Sequence, residues 1–189
     1  DISDIASDAI LLTGDIATAV GGDTLIVGNG ATVQIGADQS DLEIHADVAS
    51  STLNLATADD TAASGATIAI TTAATNFATN VATVNLDATI GTYAATATAL
   101  AGTGSTLNVT GNKTVDVGNF TGVTYNAGTA TGGQTVNTAA STTTITTGSG
   151  ADTIVADIAT AITIVSGDGI DTVTMAINIL AESTLNAGG

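Results

Sequence analysis

Short alternations of apolar and polar residues recur along the whole chain, each closed by Gly, Asn or Asp. Examples are "ATVQIG" from Ala31, "STLNLAT" from Ser51, "ATVNLD" from Ala82, "STLNVTG" from Ser105, "KTVDVG" from Lys113, "DTIVAD" from Asp152 and "DTVTM" from Asp171. A period of two means a strand with one face buried and one exposed. The apolar centres Val115, Val123, Val136, Ile145, Ile154, Ile164 and Val173 follow one another at intervals of 8 to 13 residues. Short strands at such spacing fit a sandwich, a barrel or a solenoid. The tetrapeptide Ser-Thr-Leu-Asn occurs at Ser51, Ser105 and Ser183. That internal similarity favours an all-β chain built as a β-solenoid or β-roll-like stack, with a β-sandwich as the alternative.

The core available to such a stack is thin. Hydrophobic residues make up 44% of the 189, yet aromatics only 2%, so Ala, Val, Ile and Leu must fill it. Charged residues are 10%, too few to argue for disorder. Proline is absent, which leaves the turns to Gly, Asn and Asp. Residues 1–20 place Ile2, Ile5, Ala9 and Leu12 near helical spacing and read as a helix or a capping or assembly segment, a lone strand being the alternative. Residues 21–189 read as the β-rich repeat domain, subdivided near 87–104, where an Ala- and Thr-rich stretch reads as a long connection or a short helix. "ATADDTAASGA" from Ala56 reads as a loop.

Charge narrows the function. Lys113 is the only basic side chain, and the formal net charge is -17. Nucleic-acid binding needs a basic stripe, and docking on an anionic membrane needs basic clusters; neither exists here. No window reaches the roughly 18 apolar residues of a membrane helix, and two Tyr with two Phe supply no aromatic girdle for a membrane barrel. No leader peptide is visible, and an opening Asp1 reads as a processed form or a fragment. Cysteine is absent, so neither disulfides nor thiol catalysis are available. Near absence of Lys and Arg leaves trypsin-like proteases at most one site, which suits a long-lived extracellular protein. Nothing points to an enzyme: His45 has no recognisable Ser and Asp context, and a substrate pocket would want the aromatics and Arg that are missing.

One phrase carries chemistry. Gly148-Ser149-Gly150-Ala151-Asp152 and Gly167-Asp168-Gly169-Ile170-Asp171 repeat a Gly-x-Gly-x-Asp turn, and each leads into a strand. Glycine allows the tight turn, the turn directs carbonyls inward, and Asp adds a carboxylate. Converging oxygens suit a hard cation such as calcium. The turns lie one out-and-back excursion of the chain apart, so they would stack with an ion between them. Two carboxylates about 4.8 Å apart repel by roughly 1 kcal/mol in water and about 3.5 kcal/mol at an effective dielectric of 20, which a cation removes. The bland reading is a pair of ordinary turns in which Asp bonds the local backbone.

The phrases "TGSGADTIV" and "SGDGIDTVT" resemble the nonapeptide of repeats-in-toxin proteins, Gly-Gly-x-Gly-x-Asp-x-apolar-x, except that Thr147 and Ser166 stand at the first Gly. The overall composition resembles bacterial surface-layer proteins and large secreted adhesins. The resemblance implies a calcium-binding β-roll, with Asp152 and Asp171 as carboxylate ligands. It further implies that carbonyls near Gly148, Gly150, Gly167 and Gly169 complete the shell, with Asp168 as an additional ligand. It also implies secretion and assembly at the cell surface.

Two other stretches were weighed. "DLEIHAD" puts Asp41, Glu43, His45 and Asp47 on one strand face, which reads as a solvated face rather than a transition-metal site. Thr142, Thr144 and Thr146 share a face of "TTTITT", as on ice-binding solenoids, but no regular Thr-x-Thr recurs in register along the chain. The expected function is therefore an extracellular structural protein that self-associates into a surface layer or fibre stabilised by calcium. The alternatives are an adhesin module binding cell-surface polysaccharide or another surface, and ice binding.

Overall fold

The computed structural model describes residues 9–12, 24–36, 39–40, 43–49, 51–57, 67–71, 78–79, 81–90, 92–95, 105–156, 160–175 and 182–189. They form strands and turns only; no helix occurs among them. Nine strands make one sheet, in the order β1 (Ala9–Leu12), β3 (Thr32–Ile35), β6 (Ser51–Thr57), β9 (Val81–Ala88), β11 (Thr106–Gly111), β13 (Thr124–Asn126), β15 (Thr144–Thr146), β17 (Thr163–Val165) and β19 (Thr184–Asn186). Seven make a second: β4 (Gln39–Ser40), β7 (Thr67–Thr71), β10 (Thr92–Ala95), β12 (Val115–Phe120), β14 (Gln134–Thr138), β16 (Thr153–Ala156) and β18 (Thr172–Met175). A third sheet, β2 (Thr24–Val27), β5 (Glu43–Ala46) and β8 (Ala78–Thr79), adds another side to the first coils. Neighbours in all three sheets pair in parallel. Parallel neighbours reached without a helix make the chain a β-solenoid, not a sandwich.

The apolar alternation explains the stack. Leu53, Val84, Leu107, Tyr125, Ile145 and Ile164 pair in register, one per coil, and all are buried. Val136 and Ile154 do the same in the second sheet. Each such side chain contributes about 1.5–3 kcal/mol by leaving water. The tetrapeptides also fall together: Thr52-Leu53-Asn54, Thr106-Leu107-Asn108 and Thr184-Leu185-Asn186 lie in β6, β11 and β19 of the same sheet. In the first two Leu is buried, whereas Leu185 is exposed. Ser51 turns the corner before β6, its hydroxyl donating to the Val48 carbonyl at 2.7 Å.

The outward Asn residues form a ladder. Asn85 Nδ2 donates to Asn54 Oδ1 at 2.9 Å, Asn108 to Asn85 at 2.9 Å and Asn126 to Asn108 at 3.1 Å. Beside it runs a column of Thr52, Thr83, Thr106, Thr124, Thr144, Thr163 and Thr184. The expectation that no Thr-x-Thr recurs in register holds among the described residues, where only Thr144 and Thr146 make such a pair in this sheet. A single Thr column crosses seven strands, although the second outward column is Asn in most of them. Thr142 does not share that face: it is buried, and its hydroxyl reaches the carbonyls of Phe120 and Gly122 at 3.3 and 3.1 Å.

Other expectations shift. Ala9–Leu12, inside the segment read as helix or cap, is a strand paired with β3; the rest of 1–20 lies outside the described residues. Thr92–Ala95 is a strand within the stretch read as a connection or helix, and β9 pairs with β11 across it. Of the loop read from Ala56, Ala56 and Thr57 belong to β6 and residues 58–66 lie outside the described residues. Tyr125, not Val123, supplies the core residue of its coil. Its ring packs edge-on against Phe120, 5.6 Å between centroids at 74°, which adds about 0.5–1.5 kcal/mol to burial.

Candidate metal centre

The two Gly-x-Gly-x-Asp turns stack on one edge of the solenoid. Parallel pairing of Thr135 with Thr153 and of Thr153 with Thr172 sets the turn ending at Gln134, the turn ending at Asp152 and the turn ending at Asp171 one above the next. Space explains the glycines. A Cβ on Gly148 would lie 1.8 Å from the Ala130 carbonyl oxygen, and one on Gly167, which also has φ +74°, would lie 1.9 Å from the Gly148 oxygen. The turns are pressed backbone to backbone, so the Gly spacing follows from packing and needs no ion.

Packing does not explain the acids as fully. Asp152 is buried, and its Oδ1 accepts the Gln134 amide at 2.7 Å. Asp171 repeats this one coil later: its Oδ1 accepts the Asp152 amide at 3.0 Å. Each Asp therefore ties its own turn to the preceding one rather than closing its own turn. The second oxygens, Asp152 Oδ2 and Asp171 Oδ2, are buried and accept no hydrogen bond. Burial raises the pKa of Asp152 above the ordinary carboxylate value and the nearby Asp171 charge adds to the rise, against the Thr147 hydroxyl and the Gln134 amide, which lower it.

The predicted site residues separate into two groups. Asp171 lies one coil beyond Asp152 and accepts its backbone amide, with Gly150 against Gly169. Asp168 is exposed and lines a groove of about 370 Å³ with Thr147, Gly148, Ser149, Gly167, Thr129 and Thr131. Among the described residues, no three His, Asp or Glu side chains converge on one point. On "DLEIHAD", Ile44 and Ala46 are buried, His45 is half-buried and Asp47 is exposed, while Asp41 lies outside the described residues.

Sequence reasoning missed Gln134, which takes the Asp position one coil earlier. It is buried, its Nε2 donates to the Gly132 carbonyl at 2.7 Å, and its Oε1 accepts the Tyr125 hydroxyl at 2.6 Å. An amide brings both donor and acceptor, so this level is satisfied internally. It also missed the buried hydroxyls of Thr147 and Ser166, which were noted only as departures from glycine. The polar residue in place of Gly was the available signal. No protein-family model matches the chain, and no curated protein or solved structure is significantly similar to it.

Calcium fits the residues present. It prefers anionic and neutral oxygens, and this edge holds two buried carboxylate oxygens with no partner beside turn carbonyls.

Proposed function

We propose that the protein is an extracellular structural protein that self-assembles into a surface layer or fibre, with calcium stabilising its coils. The observation that carries the calcium reading is the pair of unpartnered, buried oxygens Asp152 Oδ2 and Asp171 Oδ2. Leaving them so is costly, and a divalent cation offsets both the desolvation and the repulsion. Gly150, Gly169 and their neighbours supply carbonyls; Asp168 lies on the groove.

Association between copies is supported by an apolar side chain left on the surface: Ile170, on the turn before β18, is 89% exposed. Strand edges template pairing with other chains. With Lys113 the only base, contacts between copies rest on backbone pairing, small apolar faces and calcium between acids. Calcium titration followed by circular dichroism and negative-stain microscopy tests both halves. Sheets or filaments formed with calcium and lost with chelator support the reading; a monomer at high concentration in millimolar calcium overturns the assembly half.

A second reading has an observation of its own. The Thr column over seven strands offers a regular hydroxyl array of the kind ice binding uses. Thermal hysteresis of the monomer tests it. The adhesin alternative is tested by glycan binding of the monomer.

A further inference from the structure

Three buried side-chain oxygens near one turn edge have no partner: Asp152 Oδ2, Asp171 Oδ2 and Ser166 Oγ. Their places are linked by one stride. Asp152 N–H donates to Asp171 across 19 residues, and Thr147 Oγ1 donates to the Ser166 carbonyl at 2.9 Å, also across 19 residues. Thr147 is 1% exposed and Ser166 0%. Thr147 opens the turn that Asp152 closes. Parallel register puts Ser166 in the same relation to Asp171 one coil on. Each turn thus carries a buried hydroxyl at its entry and a carboxylate with one buried, unpartnered oxygen at its exit.

The Thr147 hydroxyl ties its coil to the next through the Ser166 carbonyl, but the Ser166 hydroxyl has no such partner. The other polar groups of this edge are matched; Gln134 with Tyr125 and Gly132 is the example beside it. Ser166 Oγ is not matched, and it opens the turn that Asp171 closes, where a buried carboxylate oxygen is also unmatched. Neutral hydroxyls beside carboxylates suit a hard cation, whose six to eight oxygens cannot all be anionic without repelling one another.

We propose that Thr147 and Ser166 supply neutral oxygen ligands to a hard divalent cation held inside the corner of the coil, with Asp152 and Asp171 as its carboxylates. The ion then sits toward Asp152 and Asp171; Thr147 also borders the groove that Asp168 lines, but the exposed Asp168 is not among the ligands. This rests on the calcium reading above.

The test uses the whole chain and calcium as probe, with calorimetric titration and thermal melting in calcium and in chelator. Ser166→Ala lowers calcium affinity by about 10- to 100-fold. In chelator the same variant melts at or above the wild-type temperature, because it removes a buried hydroxyl that had no partner. Thr147→Ser keeps the affinity and Thr147→Val loses it, which guards against a Ser166 variant that fails to fold. Asp168→Asn stays within about twofold of wild type, as an exposed charge outside the ligand set should. Equal destabilisation of Ser166→Ala with and without calcium overturns the proposal by making the residue structural. Retained affinity in Ser166→Ala together with lost affinity in Asp168→Asn also overturns it and moves the ion into the groove at Asp168. Absence of calcium uptake by the wild type overturns the calcium reading itself, and this inference with it.

Discussion

Two polar columns run along this solenoid and solve the same problem differently. Asn54, Asn85, Asn108 and Asn126 repeat at the level of β6, β9, β11 and β13, and each amide donates to the one before it. Gln134, Asp152 and Asp171 repeat along the turn edge, and there each carboxylate borrows a backbone amide from the coil before. An amide carries donor and acceptor, so a column of amides closes on itself. A carboxylate carries acceptors only, so a column of carboxylates has oxygens left over. The difference teaches that stacking alone does not settle a polar column. The chemistry of the repeated group decides whether the stack is complete or needs a cation.

The largest effect that sharpens this contrast is calcium itself. At one hundred times its dissociation constant, an ion that binds only the folded chain stabilises it by about 2.7 kcal/mol. Hydrogen exchange should place that gain on one column: amides of Asp152 and Thr172 slow with calcium, and those of Asn85 and Asn108 do not. Equal slowing of both regions breaks the comparison, because it would mean the two columns unfold as one unit.

Next comes the interior of the ladder. Asn85→Ala removes one bond to Asn54 and one from Asn108, at about 2 kcal/mol for the two. Asn126→Ala, at the ladder's end, removes the bond to Asn108 and a long, exposed one from the Gly128 amide at 3.4 Å, and costs about 1 kcal/mol because the second is weak. Urea denaturation measures both, and neither loss should change with calcium. A loss at Asn85 no larger than at Asn126 would show that the ladder's bonds are replaced by water at no cost.

Much of this was legible in the residues. Alternation gave the strands, and three copies of Ser-Thr-Leu-Asn marked one level of the coil, as β6, β11 and β19 confirm. The two Gly-Asp phrases sit one above the other because the chain returns after 19 residues. The ladder was not legible, since its steps are 31, 23 and 18 residues and insertions between strands hide a fixed spatial step. Val123 and Tyr125 belong to the same phase of the alternation, and only the start of β13 at Thr124 and the pairing of Tyr125 with Leu107 and Ile145 single out Tyr125. Thr142 was grouped with Thr144 and Thr146 by the same period, but the strand begins after it and the corner turns it inward. Gln134 was invisible as a member of the acid column, because an amide does not look like a carboxylate in a sequence while filling its place in space.

The smallest effect has the most informative sign. Asp152→Asn swaps the chemistry of one column for that of the other. Asn keeps an oxygen for the Gln134 amide and removes the buried charge. In chelator at neutral pH the variant should be more stable than wild type by about 1 kcal/mol, and in calcium it should be less stable. The pH dependence follows from burial, which raises the folded pKa of Asp152 above its ordinary value of 3.8. The folded state then holds this proton more tightly than the unfolded chain does. Through this group, calcium-free wild type gains stability as pH falls through the raised pKa, and the gain is complete below the unfolded value. The variant lacks that titration, so its advantage shrinks as the pH is lowered, while the other acids act on both proteins alike. Paired melts of the two proteins in chelator measure that difference. An advantage that stays constant down to the unfolded value would mean that Asp152 is not strained by burial, and that its second oxygen needs no cation.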